Sequence, residues 1–322
     1  MTDTSELSVQ VARKTVEALD ISSFELVRTD GKPLPAFSAG SHVDVHLPSG
    51  ITRQYSLCND AGESHRYLIG VLRDPASRGG SRAMHDEVNE GDVLRISTPK
   101  NHFELAHAAT HSILLAGGIG VTPILCMAER LAVTGKSFEM HYCTRSADRT
   151  AFRQRIADAA FATQVQFHFD DGAAEQKLVL EQVLGTVQPG THLYVCGPKG
   201  FMDWVLGSAR AAGWPEAQLH FEFFGADVAP SADDRSFDVK LASSGRVIRI
   251  PADRTVVQAL GDAGVEVQVS CEQGVCGTCL TRVLDGEPDH KDMYLTPEEQ
   301  AANDQFTPCC SRARSPMLVL DL

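Results

Sequence analysis

Short hydrophobic runs separated by turn-forming residues occupy the N-terminal third of the chain. The run at residues 42–47 alternates between polar and apolar side chains, which is the period-two pattern of a β-strand. Similar runs predict strands at residues 24–27 and 67–72, and a short helix is expected at residues 81–88. Closely spaced strands of this kind predict a small antiparallel β-barrel.

After Phe103 the pattern changes to strands that alternate with helices. Residues 112–116 form a continuous, mainly apolar run, as expected of a parallel strand that is buried on both faces. A glycine-rich turn follows, and a helix is then expected at residues 124–133, with Pro123 at its first position. Later strands are expected at residues 138–143, 165–169 and 192–196. This alternation predicts a doubly wound α/β sheet.

The C-terminal part is set apart by a small, polar, proline-containing segment at residues 226–235, a composition typical of a linker. Thr296 followed by Pro297 predicts a helix start, because threonine caps the first turn and proline fits its first position. The other elements expected here are a hairpin at 236–241 and 246–250, a helix at 255–263, and strands at 280–284 and 317–320. The chain is therefore expected to be a multidomain protein.

Composition narrows the classes of partner. The 322 residues carry a formal net charge of −13, which argues against nucleic acid or an anionic membrane as a partner. The first ten residues lack the basic start and apolar run of a signal peptide, so a cytoplasmic location is expected. Most of the nine cysteines should then be thiols or metal ligands. Four of them have apolar neighbours and are expected to be core residues: Cys58, Cys126, Cys143 and Cys196.

The remaining cysteines form the most specific motif in the chain. Cys271, Cys276 and Cys279 have the C-x4-C-x2-C spacing of a plant-type [2Fe–2S] site, and an adjacent pair, Cys309 and Cys310, follows after 29 residues. Glycines within the loop would let it wrap tightly around a cluster. The segment resembles plant-type ferredoxins, and this resemblance favours Cys309 as the fourth ligand. A structural zinc site remains the alternative, although zinc usually requires a second short cysteine pair.

Two motifs in the barrel could hold a flavin. The sequence R-Q-Y-S-L at residues 53–57 would place Arg53 and Tyr55 on one face of a strand, where a guanidinium can bind phosphate and a phenol ring can lie against an aromatic cofactor. The turn R-G-G-S at residues 78–81 opens the expected helix, and helix N-termini attract phosphate. Taken alone, both motifs could equally be an ordinary strand and an ordinary loop.

One turn in the α/β part could hold a dinucleotide. The turn G-G-I-G-V-T-P at residues 117–123 lies between a strand and a helix, the context that a nucleotide loop requires, but it departs from the G-x-G-x-x-G fingerprint. The sequences C-G-P at 196–198 and E-F-F-G at 222–225 follow later strands. Coenzyme choice stays open, because Arg145 could accept a 2′-phosphate, whereas Asp170 and Asp171 could contact a ribose or be turn residues.

Together these motifs resemble the phthalate dioxygenase reductase family, the FMN-binding branch of the ferredoxin-reductase superfamily, over nearly the whole chain. The resemblance implies domains at 1–107 (FMN-binding β-barrel), 108–225 (NAD-binding α/β), 226–235 (linker) and 236–322 (plant-type [2Fe–2S] ferredoxin, α+β). The cofactor residues that it implies are Arg53, Tyr55, Ser56, Leu57, Gly70, Val71, Leu72, Gly80 and Ser81 for FMN, and Gly118, Gly120, Thr122, Cys196 and Gly197 for NADH, with Phe224 covering the flavin.

The family resemblance also implies the reaction. Electrons would pass from NADH to FMN, then to the [2Fe–2S] cluster, and finally to a separate Rieske-type oxygenase acting on an aromatic or related substrate. The cofactors supply the redox chemistry, so no catalytic acid or base is assigned, and a monomer is expected. Two alternatives remain: a reductase for a haem protein or another carrier, and a zinc-stabilised interaction or redox-sensor protein.

Overall fold

The computed structural model describes residues 6–75, 79–225 and 234–322. The chain divides into two compact units, Met1–Glu222 and Phe223–Leu322. The predicted linker falls outside the described residues except for Asp234 and Arg235, and Arg78 of the glycine turn is also outside them. Across the described ranges, no helix is both long and apolar enough to cross a membrane.

The first unit begins with an antiparallel barrel, as predicted. Its sheet has the order β4-β3-β6-β1-β2-β5, with β7 beside β3, and a bridge between Leu57 and Ile69 joins the two ends. The elements are β1 (Leu7–Ala18), β2 (Ile21–Arg28), β3 (Ser41–His46), β4 (Thr52–Ser56), β5 (Tyr67–Leu72), α1 (Gly80–Asp86), β6 (Val93–Ile96) and β7 (Lys100–Asn101).

Strand β3 is buried on both faces, although its alternating sequence predicts one buried face and one solvated face. Val43 and Val45 point into the barrel core, while His42 and Asp44 on the opposite face are each only 5% exposed. Buried polar groups are normally hydrogen-bonded, so this face must find partners within the protein. Its partners belong to the candidate site described below.

The α/β part of the first unit is a five-stranded parallel sheet with the order β10-β9-β8-β11-β12. The chain moves outward from β8 in one direction through β9 and β10, and in the other through β11 and β12. The crevice at the carboxyl ends of β8 and β11 is therefore a topological switch point, where ligands bind in open α/β sheets. The elements are β8 (His111–Gly117), α2 (Val121–Val133), β9 (Ser137–Thr144), α3 (Arg153–Ala157), β10 (Val165–Phe169), α4 (Leu180–Leu184), β11 (Thr191–Cys196), α5 (Lys199–Ala211) and β12 (Leu219–Glu222).

The start of helix α2 differs from the prediction. The helix begins at Val121, directly after a single 3-10 turn at Gly118–Gly120, so Pro123 is its third residue and not its first. Proline is still tolerated there, because backbone N–H groups in the first turn have no partner within the helix.

The second unit has the predicted α+β composition. Its main sheet has the order β14-β13-β19-β15-β17, in which β13 and β14 form the expected antiparallel hairpin and β13 pairs in parallel with β19. Thr296 caps its helix and Pro297 occupies the first helical position, as predicted. Thr255 is the predicted first residue of the other helix, and it caps that helix instead. The elements are β13 (Phe237–Leu241), β14 (Val247–Ile250), α6 (Val256–Asp262), β15 (Thr281–Asp285), β16 (Pro288–Asp289), α7 (Pro297–Ala302), β17 (Gln305–Phe306), β18 (Arg312–Ala313) and β19 (Met317–Leu320).

Candidate functional site

The two candidate flavin motifs of the barrel lie side by side. The side chain of Arg53 on β4 packs against Gly80 at the start of α1, where a Cβ atom would come within 2.6 Å of Arg53 Cγ. The guanidinium and the helix start can therefore face the same phosphate group. Ser81 is engaged locally, because its hydroxyl accepts a hydrogen bond from the Asp74 N–H at 3.2 Å.

The aromatic and apolar residues of the same motif line the barrel. Tyr55 packs against the barrel core, and burial raises the pKa of its phenol, which stays neutral. Leu57 is fully buried and bridges to β5. On β5, Val71 is buried and its carbonyl accepts a hydrogen bond from His85 Nε2 at 2.9 Å, and the neighbouring Leu72 is half-buried. These positions form a rigid apolar wall.

Strand β5 of the barrel meets the nucleotide loop at Gly70. A Cβ atom there would lie 2.8 Å from Thr122 Cγ2 and 3.1 Å from the ring of Phe152. Thr122 is 2% exposed and donates its hydroxyl to the Ile119 carbonyl at 3.1 Å. The predicted flavin edge and the predicted nicotinamide contact are thus brought together, whereas the nearby Phe152, with a left-handed φ of 58°, had no signal in the sequence.

The two predicted dinucleotide turns interlock at the switch point. A Cβ atom on Gly120 would lie 2.2 Å from the carbonyl oxygen of Cys196, so only glycine permits this approach. The ring of Phe201 lies close against Gly197. Gly118 adopts a left-handed φ of 53° and its Cα faces open space. The Cys196 thiol is fully buried, and burial raises its pKa, so the thiol is neutral.

Glu222 is a candidate site residue that sequence analysis missed. It pairs with Cys196 across the parallel strands β11 and β12, and its Oε2 accepts a hydrogen bond from Ser56 Oγ at 3.4 Å. Burial raises the pKa of Glu222 to about 7, so its carboxyl group can gain or lose a proton near neutral pH. A single glutamate at a strand end gives no sequence signal, because that position is commonly solvated.

His42 and its neighbours form the polar wall behind Glu222. Gln54 Nε2 lies 3.2 Å from His42 Nε2 and 3.0 Å from Asp44 Oδ1, and Lys100 Nζ donates to Asp44 Oδ2 at 2.8 Å. An amide nitrogen only donates, so His42 accepts at Nε2 and carries its proton on Nδ1. That Nδ1 lies 3.9 Å from Glu222 Oε1.

Desolvation by burial lowers the pKa of His42 to about 4, so the imidazole is neutral at pH 7. This buried histidine beside a carboxylate gave no signal in the sequence, because its partners lie on other strands and in another part of the fold.

The residues considered for coenzyme choice lie at the carboxyl edge of the sheet. Arg145 directly follows β9, and its carbonyl accepts a hydrogen bond from the Asp171 N–H at 3.1 Å. Asp170 N–H donates to the Thr144 carbonyl at 3.0 Å. Arg145, Asp170 and Asp171 are all exposed, so one cationic and two anionic side chains border this edge.

The cluster cysteines form two pairs in the second unit. The Cys271 and Cys276 thiols are hydrogen-bonded to each other, which lowers the pKa of Cys276 and raises that of Cys271. Cys279 is likewise hydrogen-bonded to Cys309, which lowers the pKa of Cys279. Among the residues that the structure describes, no three His, Cys, Asp or Glu side chains surround a single metal position. Two pairs of thiols suit a cluster in which each of two irons takes two thiolates.

The adjacent cysteines differ in surroundings. Cys310 Sγ lies 3.2 Å from Thr307 Oγ1 and sits behind Gly274, where a Cβ atom would come within 2.5 Å of the sulfur. Cys309 is hydrogen-bonded both to Cys279 and to Cys310, whereas the hydrogen-bond partners of Cys310 are Cys309, Thr307 and Ser311. This arrangement supports Cys309 as the fourth ligand.

The loop that carries the first three thiols is tightly wound. Gly274 and Gly277 both have a φ of +69°, as their glycine identity suggested, and Glu272 adopts a φ of 52°, which the sequence did not indicate. The Gln273 N–H donates to Cys271 Sγ at 3.3 Å. N–H groups aimed at sulfur stabilise thiolates, so the residues present fit a cluster. Phe224 is half-buried within the second unit, and its cover over a flavin stays a prediction.

Comparison with known proteins gives matches over the whole chain. Family models match residues 239–314 ("2Fe-2S iron-sulfur cluster binding domain") and 96–219 ("Dimethylamine monooxygenase subunit DmmA-like, N-terminal domain"). A vanillate O-demethylase oxidoreductase of Pseudomonas putida is 56% identical, covering 97% of this chain and 98% of the relative.

Two solved structures are also similar. Phthalate dioxygenase reductase, described as a modular structure for electron transfer from pyridine nucleotides to [2Fe–2S], matches with a TM-score of 0.82 and 42% identity, covering 99% of this chain and 98% of that one. An intact type IV self-sufficient cytochrome P450 monooxygenase matches with a TM-score of 0.79 and 39% identity, covering 98% of this chain and 41% of that chain.

Proposed function

The chain belongs to the phthalate dioxygenase reductase family, and on that premise we propose that it passes electrons from NADH through FMN and a [2Fe–2S] cluster to a separate Rieske-type oxygenase. The observation that carries the proposal is that five predicted site residues meet at one switch point, together with Glu222. Gly70 contacts Thr122, Gly120 contacts Cys196, and Glu222 joins Cys196 to Ser56. The strand proposed to bind flavin and the proposed dinucleotide loop are therefore in direct contact.

The residues at this contact would each hold a different part of the cofactors. Arg53 and the backbone around Gly80 would hold the FMN phosphate, and Tyr55 would lie against the ring system. Because Gly70 and Gly120 have no side chains, the barrel strand β5 approaches Thr122 closely and the turn at Gly120 approaches Cys196 closely. This close packing favours the short distance between nicotinamide and flavin that hydride transfer needs. FMN, when bound, supplies a centre that accepts a hydride and releases its electrons one at a time.

Proton balance gives Glu222 a role. A hydride brings one proton and two electrons, and only the electrons continue to the cluster, so one proton per NADH must leave the site. Ser56 is hydrogen-bonded to Glu222, whose pKa is raised to about 7 by burial. We assign Glu222 as the base that accepts this proton by way of the Ser56 hydroxyl.

NADH is the proposed coenzyme because two carboxylates, Asp170 and Asp171, border the edge where the adenosine ribose would lie. Carboxylates accept hydrogen bonds from ribose hydroxyls and repel a 2′-phosphate. Arg145 opposes this effect from the adjacent strand end. The ratio of kcat/KM for NADH to that for NADPH tests the assignment, and a preference for NADPH would contradict it.

The experiment that tests the electron route compares two cysteine variants. In Cys276→Ser, NADH should reduce the flavin at the normal rate, whereas reduction of the oxygenase component should be lost. Cys143→Ser is the matched control, because Cys143 is also a partly exposed free thiol but lies on β9, outside the cluster loop. Retained oxygenase reduction in a Cys276→Ser protein that lacks the cluster would refute the route.

A haem protein is the second candidate acceptor. It is favoured by one observation, the match of this chain to 41% of a self-sufficient cytochrome P450 monooxygenase. Reduction rates measured with the purified protein and two acceptors, a Rieske-type oxygenase component and a bacterial cytochrome P450, separate the two candidates. The proposal requires faster reduction of the Rieske acceptor.

A further inference from the structure

The cluster loop has one accessible side. Cys271, Cys279 and Cys309 are 2–4% exposed, whereas Cys276 is partly exposed and Thr278 is exposed. Electrons that leave for another protein favour the shortest distance, so the acceptor should approach the segment from Cys276 to Thr278.

Three exposed apolar side chains surround this segment. Leu280, Met293 and Tyr294 are 36%, 38% and 42% exposed. Leu280 N–H donates to the Gly277 carbonyl at 2.9 Å, and Met293 N–H donates to the Gly274 carbonyl at 2.9 Å. The ring of Tyr294 covers Gly277 itself, where a Cβ atom would lie 2.2 Å from the ring. We call Leu280, Met293 and Tyr294 the loop-side apolar surface.

The buried side chain of Asp292 holds the backbone of this surface in place. Asp292, whose side chain has no exposure, accepts hydrogen bonds from the N–H groups of Tyr294 at 3.2 Å and Leu295 at 2.8 Å. Ser311 Oγ donates to the other carboxylate oxygen at 3.3 Å. The exposure of Met293 and Tyr294 therefore belongs to a fixed backbone, and a rigid apolar surface needs little ordering on binding.

The stretch of sequence that carries the surface is acidic, although Asp262, Glu287 and Asp289 form ion pairs with Arg254 and Arg314 and the side chain of Asp292 is buried. Residues 262–304 contain ten Asp and Glu residues but only two Lys and Arg residues. Glu298 is exposed and lies in the first turn of α7, which begins three residues after Tyr294. Exposed apolar side chains on an acidic stretch that includes exposed Glu298 are complementary to an apolar patch ringed by Lys and Arg.

We propose that the loop-side apolar surface is the docking site of the electron-accepting protein, and that this partner presents an apolar patch ringed by basic side chains around its own redox centre. The inference rests on the proposed function and adds the surface through which electrons leave. Tyr294 is its central contact, because its ring lies directly on the cluster loop and tyrosine is a frequent interface anchor.

The test uses the protein loaded with FMN and cluster, and cytochrome c as a basic one-electron acceptor. Tyr294→Ala and Met293→Ser should each lower the second-order rate of cytochrome c reduction about tenfold, a size typical of an anchor residue. Tyr294→Phe should keep the rate. Glu298→Lys should lower the rate at low ionic strength and lose its effect at high salt.

Two controls are matched to these variants. Met317→Ala changes an apolar residue with similar exposure, 37%, on β19, and Asp253→Lys reverses an exposed charge outside the acidic segment; neither should change the rate. Reduction of ferricyanide by the flavin, the visible spectrum and the iron content should be unchanged in every variant. Because Tyr294→Ala could disturb the loop, Met293→Ser and Glu298→Lys test the surface independently.

The outcomes separate the two claims. If NADH failed to reduce the cluster in the unaltered protein, the proposed function would be refuted. Normal cluster reduction, with cytochrome c reduced at the unaltered rate by Tyr294→Ala, Met293→Ser and Glu298→Lys, would overturn only the docking surface. If instead the unaltered protein sedimented as a dimer and the variants as monomers, the result would show that a second copy of the chain occupies the surface. That result would also overturn the proposal.

Discussion

Replacing Glu222 by glutamine should make the first unit more stable at alkaline pH. In the folded protein the pKa of Glu222 is raised from 4.5 to about 7 by burial, so the ionised form is harder to accommodate than in the unfolded chain. Between these two values the folded state holds a proton that the unfolded state has lost, and stability therefore falls as pH rises. Glutamine does not titrate and avoids this loss.

The magnitude follows from the difference between the two pKa values. A difference of about 2.5 pKa units at about 1.4 kcal/mol per unit corresponds to about 3–4 kcal/mol. Above pH 8, the free energy of unfolding of the Glu222→Gln variant should exceed that of the unaltered protein by up to about this amount. The two proteins should differ little at pH 4, where Glu222 is protonated in both states.

Urea unfolding of the flavin-free protein, followed by tryptophan fluorescence at several pH values, measures this difference. Both tryptophans, Trp204 and Trp214, lie in the Met1–Glu222 unit, so the signal reports the unit that contains Glu222. In parallel, any dependence of flavin reduction or reoxidation on a group with a pKa near 7 should disappear in the variant. Equal pH dependence of stability in the two proteins would refute the reasoning.

Three other changes have defined outcomes. His42→Phe removes the Nδ1–H near Glu222, so the pKa of Glu222 should rise further, seen as an upward shift in the carboxyl titration by infrared difference spectroscopy; an unchanged titration would contradict the contact. Gly70→Ala places a Cβ atom 2.8 Å from a neighbouring side chain, and thermal unfolding should show a loss of about 1–3 kcal/mol; unchanged stability would count against this packing. Cys309→Ala should lose the cluster spectrum, whereas Cys310→Ala should keep it, and the reverse result would exchange the two assignments.

Local patterns made much of the fold predictable. Residues 67–72 and 317–320 are strands with the predicted bounds, because strand periodicity is a property of neighbouring residues. The helix cap at Thr296 was predictable for the same reason, since a cap joins residues three positions apart. The cysteine motif is equally local, which is why its spacing indicated the chemistry.

The contacts of Glu222 with Ser56 and His42 were not predictable, because the three residues are far apart in the sequence. Ser56 and Glu222 are separated by 166 positions, and His42 faces Glu222 only when the barrel packs against the α/β sheet. The left-handed conformations of Phe152 and Glu272 also had no signal, since residues other than glycine rarely adopt them. Such positions are set by tertiary contacts and not by local preference.

The most direct test of the cofactor chain is an anaerobic titration of the purified protein with NADH. Visible absorption and electron paramagnetic resonance would be followed together, with the flavin identified by mass and iron and sulfide assayed. The account predicts bound FMN, equal amounts of iron and sulfide, bleaching of both chromophores by NADH, and the resonance of a reduced [2Fe–2S] cluster. A colourless protein that contains zinc and does not take up FMN, iron and sulfide on reconstitution would contradict it.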